Sequence, residues 1–272
     1  TGVTAVLPHG NDIYLNQVFA SAVVLNGNGE MTGVEWVNER GLLEVPIILT
    51  NTLSVGEAYS GVIQYMLKQN IKRVPLPVVA ECYDGGLNDI AGQHVRPEHV
   101  IQAIESSVGG PVAEGSVGAG TGMRAYSYKA GIGTSSRILS IGDGGYTVGV
   151  LVNANCGRRP ELIVAGIPVG KLLAEQQEEQ TRDGSIIILV ATDAPLIPIQ
   201  LRRLCKRASL GLARTGTVSR TSSGDLILSF STAHTIPRDD TSVDTLRSLR
   251  DHRLTTLFQA TVEATEKAIL NA

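Results

Sequence analysis

Short apolar runs alternate with longer amphipathic stretches along this chain. The short runs are rich in β-branched residues and predict strands at residues 3–7, 46–50, 76–82, 126–129, 137–141, 146–154, 186–192 and 226–231. The amphipathic stretches predict helices over residues 54–69, 97–107, 198–214 and 251–270. Because strands and long helices mix without a strict alternation, the pattern favours α+β layers over a doubly wound sheet.

The ends of several predicted elements carry their own signals. The run 142–145 (GDGG) has the residue types typical of a tight turn. It predicts a hairpin between the strands at 137–141 and 146–154. Ser54, with Glu57 three residues later, predicts the N-cap of the first helix. Pro97 and Glu98 suit the first turn of the second helix.

Composition argues against several classes of protein. The 272 residues allow one large domain or two small ones, and 43% hydrophobic residues suffice for a sizeable core. A net charge of −3 without a long basic run argues against nucleic-acid binding. No apolar stretch is long enough to span a membrane, and no signal peptide is present. The cysteines lack the spacing of a metal site or a disulfide framework: Cys82, Cys156 and Cys205.

The glycine-rich run 118–122 (GAGTG) matches a dinucleotide-binding fingerprint only in part. Met123 stands where the third glycine belongs, and the residues after it alternate like a strand instead of opening a helix. We therefore expect these glycines to let backbones pack closely around an active site. The five histidines lack metal-ligand spacing, and no G-x-S-x-G elbow occurs. A Ser-His-Asp triad stays open, because triads assemble in space.

The junction between Gly184 and Ser185 is the most informative point of the chain. A polar stretch, residues 175–183, opens with a low-complexity run of Glu and Gln at 175–180 and leads directly into the strand at 186–192. If the peptide bond before Ser185 breaks, this residue carries both a hydroxyl nucleophile and a free α-amine, as in hydrolases with N-terminal nucleophiles. From these residues alone, an ordinary loop-to-strand boundary is the simpler interpretation.

Six runs favour the self-cleaving nucleophile over the plain loop-to-strand boundary, because together they resemble one family. They are residues 1–9 (TGVTAVLPH), 25–33 (LNGNGEMTG), 115–123 (GSVGAGTGM), 131–137 (GIGTSSR), 148–157 (VGVLVNANCG) and 185–195 (SIIILVATDAP). In this order, and over essentially its whole length, the chain resembles the L-aminopeptidase/D-Ala-esterase/amidase family, which includes the β-peptidyl aminopeptidases. The resemblance implies one α+β domain, residues 1–272, with a four-layer αββα sandwich. That sandwich is similar to the fold of N-terminal-nucleophile hydrolases but has its own connectivity.

The resemblance also implies maturation by self-cleavage. The bond between Gly184 and Ser185 would break to give a larger chain, residues 1–184, and a smaller chain, residues 185–272. Ser185 would be the nucleophile in both cleavage and turnover. Gly184 lacks a Cβ, so its carbonyl can adopt the approach that attack requires. The family further implies a homotetramer and no metal or organic cofactor.

By the same resemblance, Asn155 and Tyr83 stabilise the oxyanion and Glu81 binds the ammonium group of the substrate. Asn153 lies on the same face of its strand as Asn155, so the choice between them depends on the family pattern N-x-G. From the residues alone, Asn155 is a turn asparagine at a strand end and Glu81 belongs to a strand-end salt bridge.

Ser223 and Asp225 complete the predicted site. The family pattern here is Ser-Gly-Glu, and this chain has Asp in place of Glu. The carboxylate is one methylene shorter, which leaves its reach to Ser223, or to the α-amine of Ser185, an open question. A plain β-turn is the alternative interpretation.

The resemblance therefore predicts a self-processing serine aminopeptidase or amidase that acts on small peptides, amides or esters with a free amine. The proton of Ser185 would pass to its own freed α-amine or to Ser223 with Asp225. Two alternatives stay open: an amidase acting on a non-peptide metabolite such as a pantetheine-like compound, and a non-catalytic, uncleaved oligomeric relative. Neither nucleic acid nor a membrane is a predicted partner. We expect a cytoplasmic protein, with the periplasm as the alternative, because family members carry a further N-terminal segment that we expect to be missing here.

Overall fold

Two β-sheets lie face to face at the centre of this protein. The computed structural model describes residues 1–10, 12–173, 184–239 and 243–272. The strands of these residues are β1 Thr4–Val6, β2 Asn16–Gly27, β3 Leu42–Leu43, β4 Ile47–Asn51, β5 Val78–Cys82, β6 Arg124–Ala125, β7 Tyr128–Lys129, β8 Ile132–Ile138, β9 Thr147–Asn155, β10 Ser185–Thr192 and β11 Gly224–Pro237. One sheet has the order β1-β4-β5 and the other the order β3-β2-β11-β10-β9-β8, while β6 and β7 pair in a separate hairpin.

Helices cover the outer faces of both sheets. They are α1 Val34–Arg40, α2 Val55–Lys68, α3 Pro97–Glu105, α4 Val169–Leu172, α5 Pro198–Arg214 and α6 Leu254–Asn271. Helices α2 and α3 contribute to the core that both sheets share. Helices α5 and α6 pack on the other face of the six-stranded sheet and form a second core. The order of layers is therefore α, β, β, α, as the sequence predicts.

Strand β10 explains why its sequence is a continuous apolar run. Ile187 and Leu189 contribute to the core between the sheets, whereas Ile186, Ile188 and Val190 pack in the core beneath α5 and α6. A strand buried on both faces has no polar side to alternate with. β10 runs parallel to β11 and antiparallel to β9. The beginning of β10 therefore lies beside the end of β9 and the beginning of β11.

Most predicted elements are present within a few residues of their predicted bounds. The helix predicted over 198–214 has these same ends, and the predicted hairpin joins β8 to β9. Sequence reasoning missed β2, β3, α1 and α4. The strand that it predicted at 226–231 is shorter than β11. β2 was missed because polar Gln17 and Ser21 are buried among its apolar residues, which hides the alternation.

The predicted strand over residues 126–129 is half right: β7 covers Tyr128–Lys129, but the two residues before it form a turn. Tyr126 and Ser127 have φ values of 53° and 65° and form the turn between β6 and β7. The side chain of Tyr126 is buried, and its hydroxyl lies 2.5 Å from the Thr215 hydroxyl. Its N–H also donates to the carbonyl of Cys156. These tertiary contacts offset the cost of a backbone conformation that non-glycine residues rarely adopt.

The predicted N-cap position of Ser54 is correct, but its side chain does not cap the helix. Ser54 occupies the N-cap position of α2, but its side chain makes no capping hydrogen bond to the described residues. The chain enters α2 through a 3₁₀ turn over Thr52–Ser54, so Ser54 lacks the extended backbone that a capping side chain requires.

Two further observations complete the description of the fold. Among the described residues, no helix combines the length and apolar content needed to cross a membrane. The predicted low-complexity loop at 175–180, and the polar residues that follow it up to 183, lie outside the described residues.

Candidate active site

Ser185 is the first residue of β10 and lies at the meeting point of three strands. It is buried, with 5% of its surface exposed, and it stands opposite Asn155 in the antiparallel pairing with β9. On its other side, the N–H of Gly224 at the beginning of β11 donates to Ser185 Oγ at 3.1 Å. The hydroxyl is thereby held in place by a main-chain donor.

Gly184 packs directly against Asn155. A Cβ built on Gly184 would fall 1.6 Å from the main-chain oxygen of Asn155 and 3.0 Å from its side-chain Nδ2. The site therefore requires glycine here. The amide of Asn155 lies next to the residue whose carbonyl precedes Ser185.

Two opposite contacts fix the orientation of the Asn155 amide. The N–H of Arg124 donates to Oδ1 at 2.9 Å, and Nδ2 donates to the carbonyl of Tyr83 at 2.9 Å. A main-chain N–H can pair only with the oxygen, and a carbonyl only with the nitrogen. Nδ2 has a second proton to donate and lies 3.0 Å from the Cβ position of Gly184, which suits Asn155 to donate to an oxyanion there.

The shorter carboxylate of Asp225 does reach Ser223. Ser223 Oγ donates to Asp225 Oδ1 at 2.6 Å, and both residues are buried. Burial raises the pKa of the Asp225 carboxyl, and hydrogen bonds from Ser223, Ser219 and the N–H of Ile186 partly offset that effect. Ser223 and Asp225 therefore flank Gly224, the residue whose N–H donates to the hydroxyl of Ser185.

Glu81 is a buried carboxylate held by donors from two neighbouring segments. The N–H of Glu30 donates to Oε1 at 3.0 Å, and the hydroxyl of Thr52 donates to Oε2. Burial raises the pKa of Glu81 above its usual range, and the two hydrogen bonds counteract that rise. No lysine or arginine among the described residues forms a salt bridge with Glu81. The simpler interpretation, a strand-end salt bridge, is therefore not what these residues form.

Close glycine packing connects Glu81 with the nucleophile. A Cβ on Gly29 would lie 3.2 Å from Glu81 Oε1 and 3.0 Å from Gly224 Cα. Gly224 in turn donates to Ser185. The carboxylate and the hydroxyl are therefore separated by two glycines only.

Tyr83 reaches this region through its main chain. It lies one residue past the end of β5, its side chain is 40% exposed, and its carbonyl accepts from Asn155. The hydroxyl of Tyr83 lies over Gly85, where a Cβ would be 2.5 Å away. The structure thus brings Ser185, Asn155, Ser223, Asp225 and Glu81 together by their side chains, and Tyr83 by its carbonyl.

Two buried cysteines and four histidines of the described residues take no part in the predicted site. The buried thiols of Cys82 and Cys156 have pKa values well above the usual range because burial disfavours the thiolate. Four histidines bond to partners outside the predicted site: His9 to Asn16, His94 to Asp89, His99 to Arg96, and His234 to Arg247.

The glycine-rich run 118–122 packs as predicted. It forms a 3₁₀ turn, and a Cβ on Gly120 would lie 2.5 Å from the main-chain oxygen of Gly115 and 2.5 Å from the main-chain nitrogen of Ile132. The turn leads two residues later to Arg124, whose N–H holds Asn155. These glycines therefore serve close backbone packing beside the site.

Sequence reasoning missed the residues that hold the site in position. They are Asn26 and Asn28 at the end of β2, which bond to the turn before β11, Thr52 beside Glu81, and Arg124 beside Asn155. Asn26 and Asn28 belong to the run 25–33, whose likeness to a family was the only available signal. Their partners lie 194 residues further along the chain, a separation that no local pattern reveals.

Known proteins are similar to this chain over its whole given length. The sequence model of peptidase family S58 matches residues 1–272. The β-peptidyl aminopeptidase BapA of Sphingosinicella microcystinivorans is 44% identical over 288 residues, an alignment that covers 100% of this chain and 72% of that protein.

Two solved structures share the arrangement of layers. A β-aminopeptidase from Burkholderia sp. superposes with a TM-score of 0.95 at 45% identity, covering 100% of this chain and 78% of its own. The L-aminopeptidase D-Ala-esterase/amidase of Ochrobactrum anthropi, a serine aminopeptidase with a variant of the Ntn-hydrolase fold, superposes with a TM-score of 0.93 at 40% identity. That match covers 99% of this chain and 76% of the other.

Proposed function

Because the chain belongs to peptidase family S58 and is a self-processing serine aminopeptidase, we propose that Ser185 is the nucleophile of both its reactions. The predicted family, fold class and enzyme class are confirmed, and a non-catalytic relative is no longer an alternative. The observation that carries the assignment is the position of Ser185 at the beginning of β10. There the Asn155 amide lies on one side, and Gly224 with Ser223 and Asp225 lies on the other.

In maturation, Ser185 Oγ attacks the carbonyl carbon of Gly184. The bond from that carbon to the nitrogen of Ser185 breaks, an ester to Oγ forms, and the hydroxyl proton ends on the departing amine. Water then hydrolyses the ester and leaves a carboxylate on Gly184 and a free α-amine on Ser185. The chain becomes two pieces of one domain, residues 1–184 and 185–272. Nδ2 of Asn155, 3.0 Å from the Cβ position of Gly184, donates to the developing oxyanion.

In turnover, the same hydroxyl attacks the acyl carbon of a substrate. The proton of Oγ passes to the α-amine of Ser185 or to the pair Ser223 and Asp225, and then to the leaving amine or alcohol. The amide of Asn155 donates to the oxyanion. The second donor is the hydroxyl of Tyr83, which lies over Gly85, because the carbonyl of Tyr83 can only accept. Water then releases the acyl group from Oγ.

The substrate class follows from Glu81. A buried carboxylate with hydrogen-bond donors but no side-chain cation paired to it among the described residues needs a positive partner, and a free ammonium group supplies one. The enzyme therefore takes small peptides, amides or esters with a free amine. The β-peptidyl aminopeptidase and the Burkholderia β-aminopeptidase support an N-terminal amino-acyl group as the part recognised.

Assembly and compartment extend the proposal. A homotetramer is supported by large apolar side chains that this single chain leaves exposed, among them Ile138 (78%), Ile141 (95%) and Leu172 (72%). All three cysteines are free and buried, which suits a reducing compartment, and we place the enzyme in the cytoplasm. Light scattering of the purified protein tests the tetramer.

The test of the nucleophile is the intact mass of freshly purified protein under denaturing conditions. The wild type should give two masses that divide the chain after Gly184. Ser185→Ala should give one full-length mass and no hydrolysis of an aminoacyl p-nitroanilide. Ser209→Ala, on the exposed face of α5, is the matched control and should be processed normally. Hydrolysis by Ser185→Ala at the wild-type rate would overturn the assignment.

A further inference from the structure

A β-bulge places Asn26 at the active site. Along the pairing of β2 with β11, Asp225 stands opposite Asn26, whereas the next residue, Leu226, stands opposite Val24. Leu25 is therefore the extra residue. A bulge re-aims the neighbouring side chain and occurs often beside active sites. Here it lies directly opposite the predicted catalytic carboxylate.

The amide of Asn26 bridges both ends of the turn before β11. Nδ2 donates to the carbonyl of Arg220 at 2.7 Å and also to the carbonyl of Ser223. The turn itself closes through the N–H of Ser223, which donates to the carbonyl of Arg220 at 2.8 Å. One nitrogen thus uses both its protons on the first and fourth residues of the turn.

This turn carries two groups of the site at its end. Ser223 Oγ bonds to Asp225, and the N–H of the next residue, Gly224, bonds to Ser185 Oγ. A shift of the turn would therefore move both groups relative to the nucleophile. Asn28 adds one more bond, from Nδ2 to the carbonyl of Ser222 at 2.7 Å, at an exposed position.

We propose that Asn26 is a positioning residue that holds Ser223 and Gly224 in register with Ser185. The inference rests on the proposed function, because it takes Ser185 as the nucleophile. Asn26 acts through the turn and not on the substrate. Its removal should therefore slow the chemical steps and leave the binding of the substrate ammonium group by Glu81 unchanged.

The decisive variant is Asn26→Asp, which keeps the shape of the side chain and removes both donated protons. We expect kcat on an aminoacyl p-nitroanilide, and the rate of self-cleavage, to fall about 10²-fold, with KM unchanged. Asn26→Ser retains one short donor and should give an intermediate kcat. Asn271→Asp is the matched control. Its Nδ2 also donates to a main-chain carbonyl, that of Thr134, at 2.8 Å, but on α6 away from the site.

The outcomes separate this inference from the proposed function. Two results would overturn the positioning role. The first is a wild-type kcat in Asn26→Asp. The second is a loss of kcat that comes with an equal rise in KM and with a fall in melting temperature well beyond that of Asn271→Asp. If Asn26→Asp does not fold, the kcat of Asn26→Ser decides: a normal value overturns the role. Activity in Ser185→Ala, in contrast, would overturn the nucleophile itself, whatever Asn26→Asp does.

Discussion

Gly184 lies against Asn155 so closely that a Cβ on the glycine would fall 1.6 Å from the asparagine's carbonyl oxygen. No L-residue with a side chain fits there without a movement of the chain on one side. The contact joins the residue before the proposed nucleophile to the residue proposed to stabilise the oxyanion. It thereby fixes the position of Gly184 relative to the Asn155 amide.

We predict that Gly184→Ala slows self-cleavage by about 10²-fold, because the added Cβ would displace Gly184 from its position against Asn155. Denaturing mass spectrometry over time after purification measures the rate. Gly149→Ala on the neighbouring strand β9 is the control, since a Cβ there meets nothing within 4 Å. Cleavage of Gly184→Ala at the rate of Gly149→Ala would contradict the prediction.

Thr52→Val removes the hydroxyl that donates to Glu81 Oε2. The lost bond lowers the pKa of Glu81 in the wild type, so this pKa should rise further in the variant. Below that pKa the carboxyl is neutral and no longer binds an ammonium group. We expect KM for substrates with a free amine to rise about tenfold at mildly acidic pH.

KM measured as a function of pH tests this, with Thr52→Ser expected to restore the wild-type curve. If Thr52→Val and the wild type share one KM–pH curve, Thr52 does not tune Glu81.

Asp225→Asn should change how stability depends on pH. The pKa of Asp225 is raised in the folded protein, so ionisation of this carboxyl costs more there than in the unfolded chain. Its favourable contribution is complete below the ordinary value of about 3.9 and is lost as pH rises through the folded value. Relative to Asp225→Asn, the unfolding free energy of the wild type should fall from about pH 4 toward neutrality.

Chemical unfolding at several pH values measures this difference. The exposed Asp244→Asn controls for the removal of one carboxylate elsewhere on the protein. A difference between wild type and Asp225→Asn that stays constant with pH would show that burial does not penalise the Asp225 carboxylate.

Asn153→Leu should stabilise the protein by about 1–3 kcal/mol. Asn153 is fully buried in β9, and neither polar atom of its side chain has a hydrogen-bond partner among the described residues. Asn155, two residues on, has partners on both atoms. We therefore expect Asn153→Leu to retain activity and Asn155→Leu to lose it. Unfolding midpoints together with kcat measure both effects. A destabilised Asn153→Leu would mean that its amide is bonded after all.

The sequence predicts elements well where local physics decides them. The helix over 198–214 begins at a proline and has a clear apolar stripe, which fixes both its start and its buried face. The position of Ser185 is predicted equally well, because it directly precedes a continuous apolar run. β2 is different, because its bulge at Leu25 and its buried Gln17 and Ser21 follow from pairing with β11.

The candidate site divides in the same way. Ser185 and Asn155 stand at strand ends and Glu81 stands one residue before one, but their roles were predicted from the family resemblance and not from the residues alone. The reach of Asp225 to Ser223 depends on the turn that Asn26 bridges, and those contacts join residues nearly two hundred positions apart. Only the folded chain reveals that the shorter carboxylate suffices.

The order of strands also determines what a break before Ser185 would do to the molecule. β10 and β11 belong to the later segment, yet they lie between β2 and β9 of the earlier one. The smaller piece is thus a wedge inserted into the middle of the larger piece's sheet, bonded along both sides. A nick at this point leaves two polypeptides that cannot separate without opening the sheet twice. They should purify, melt and refold as one cooperative unit.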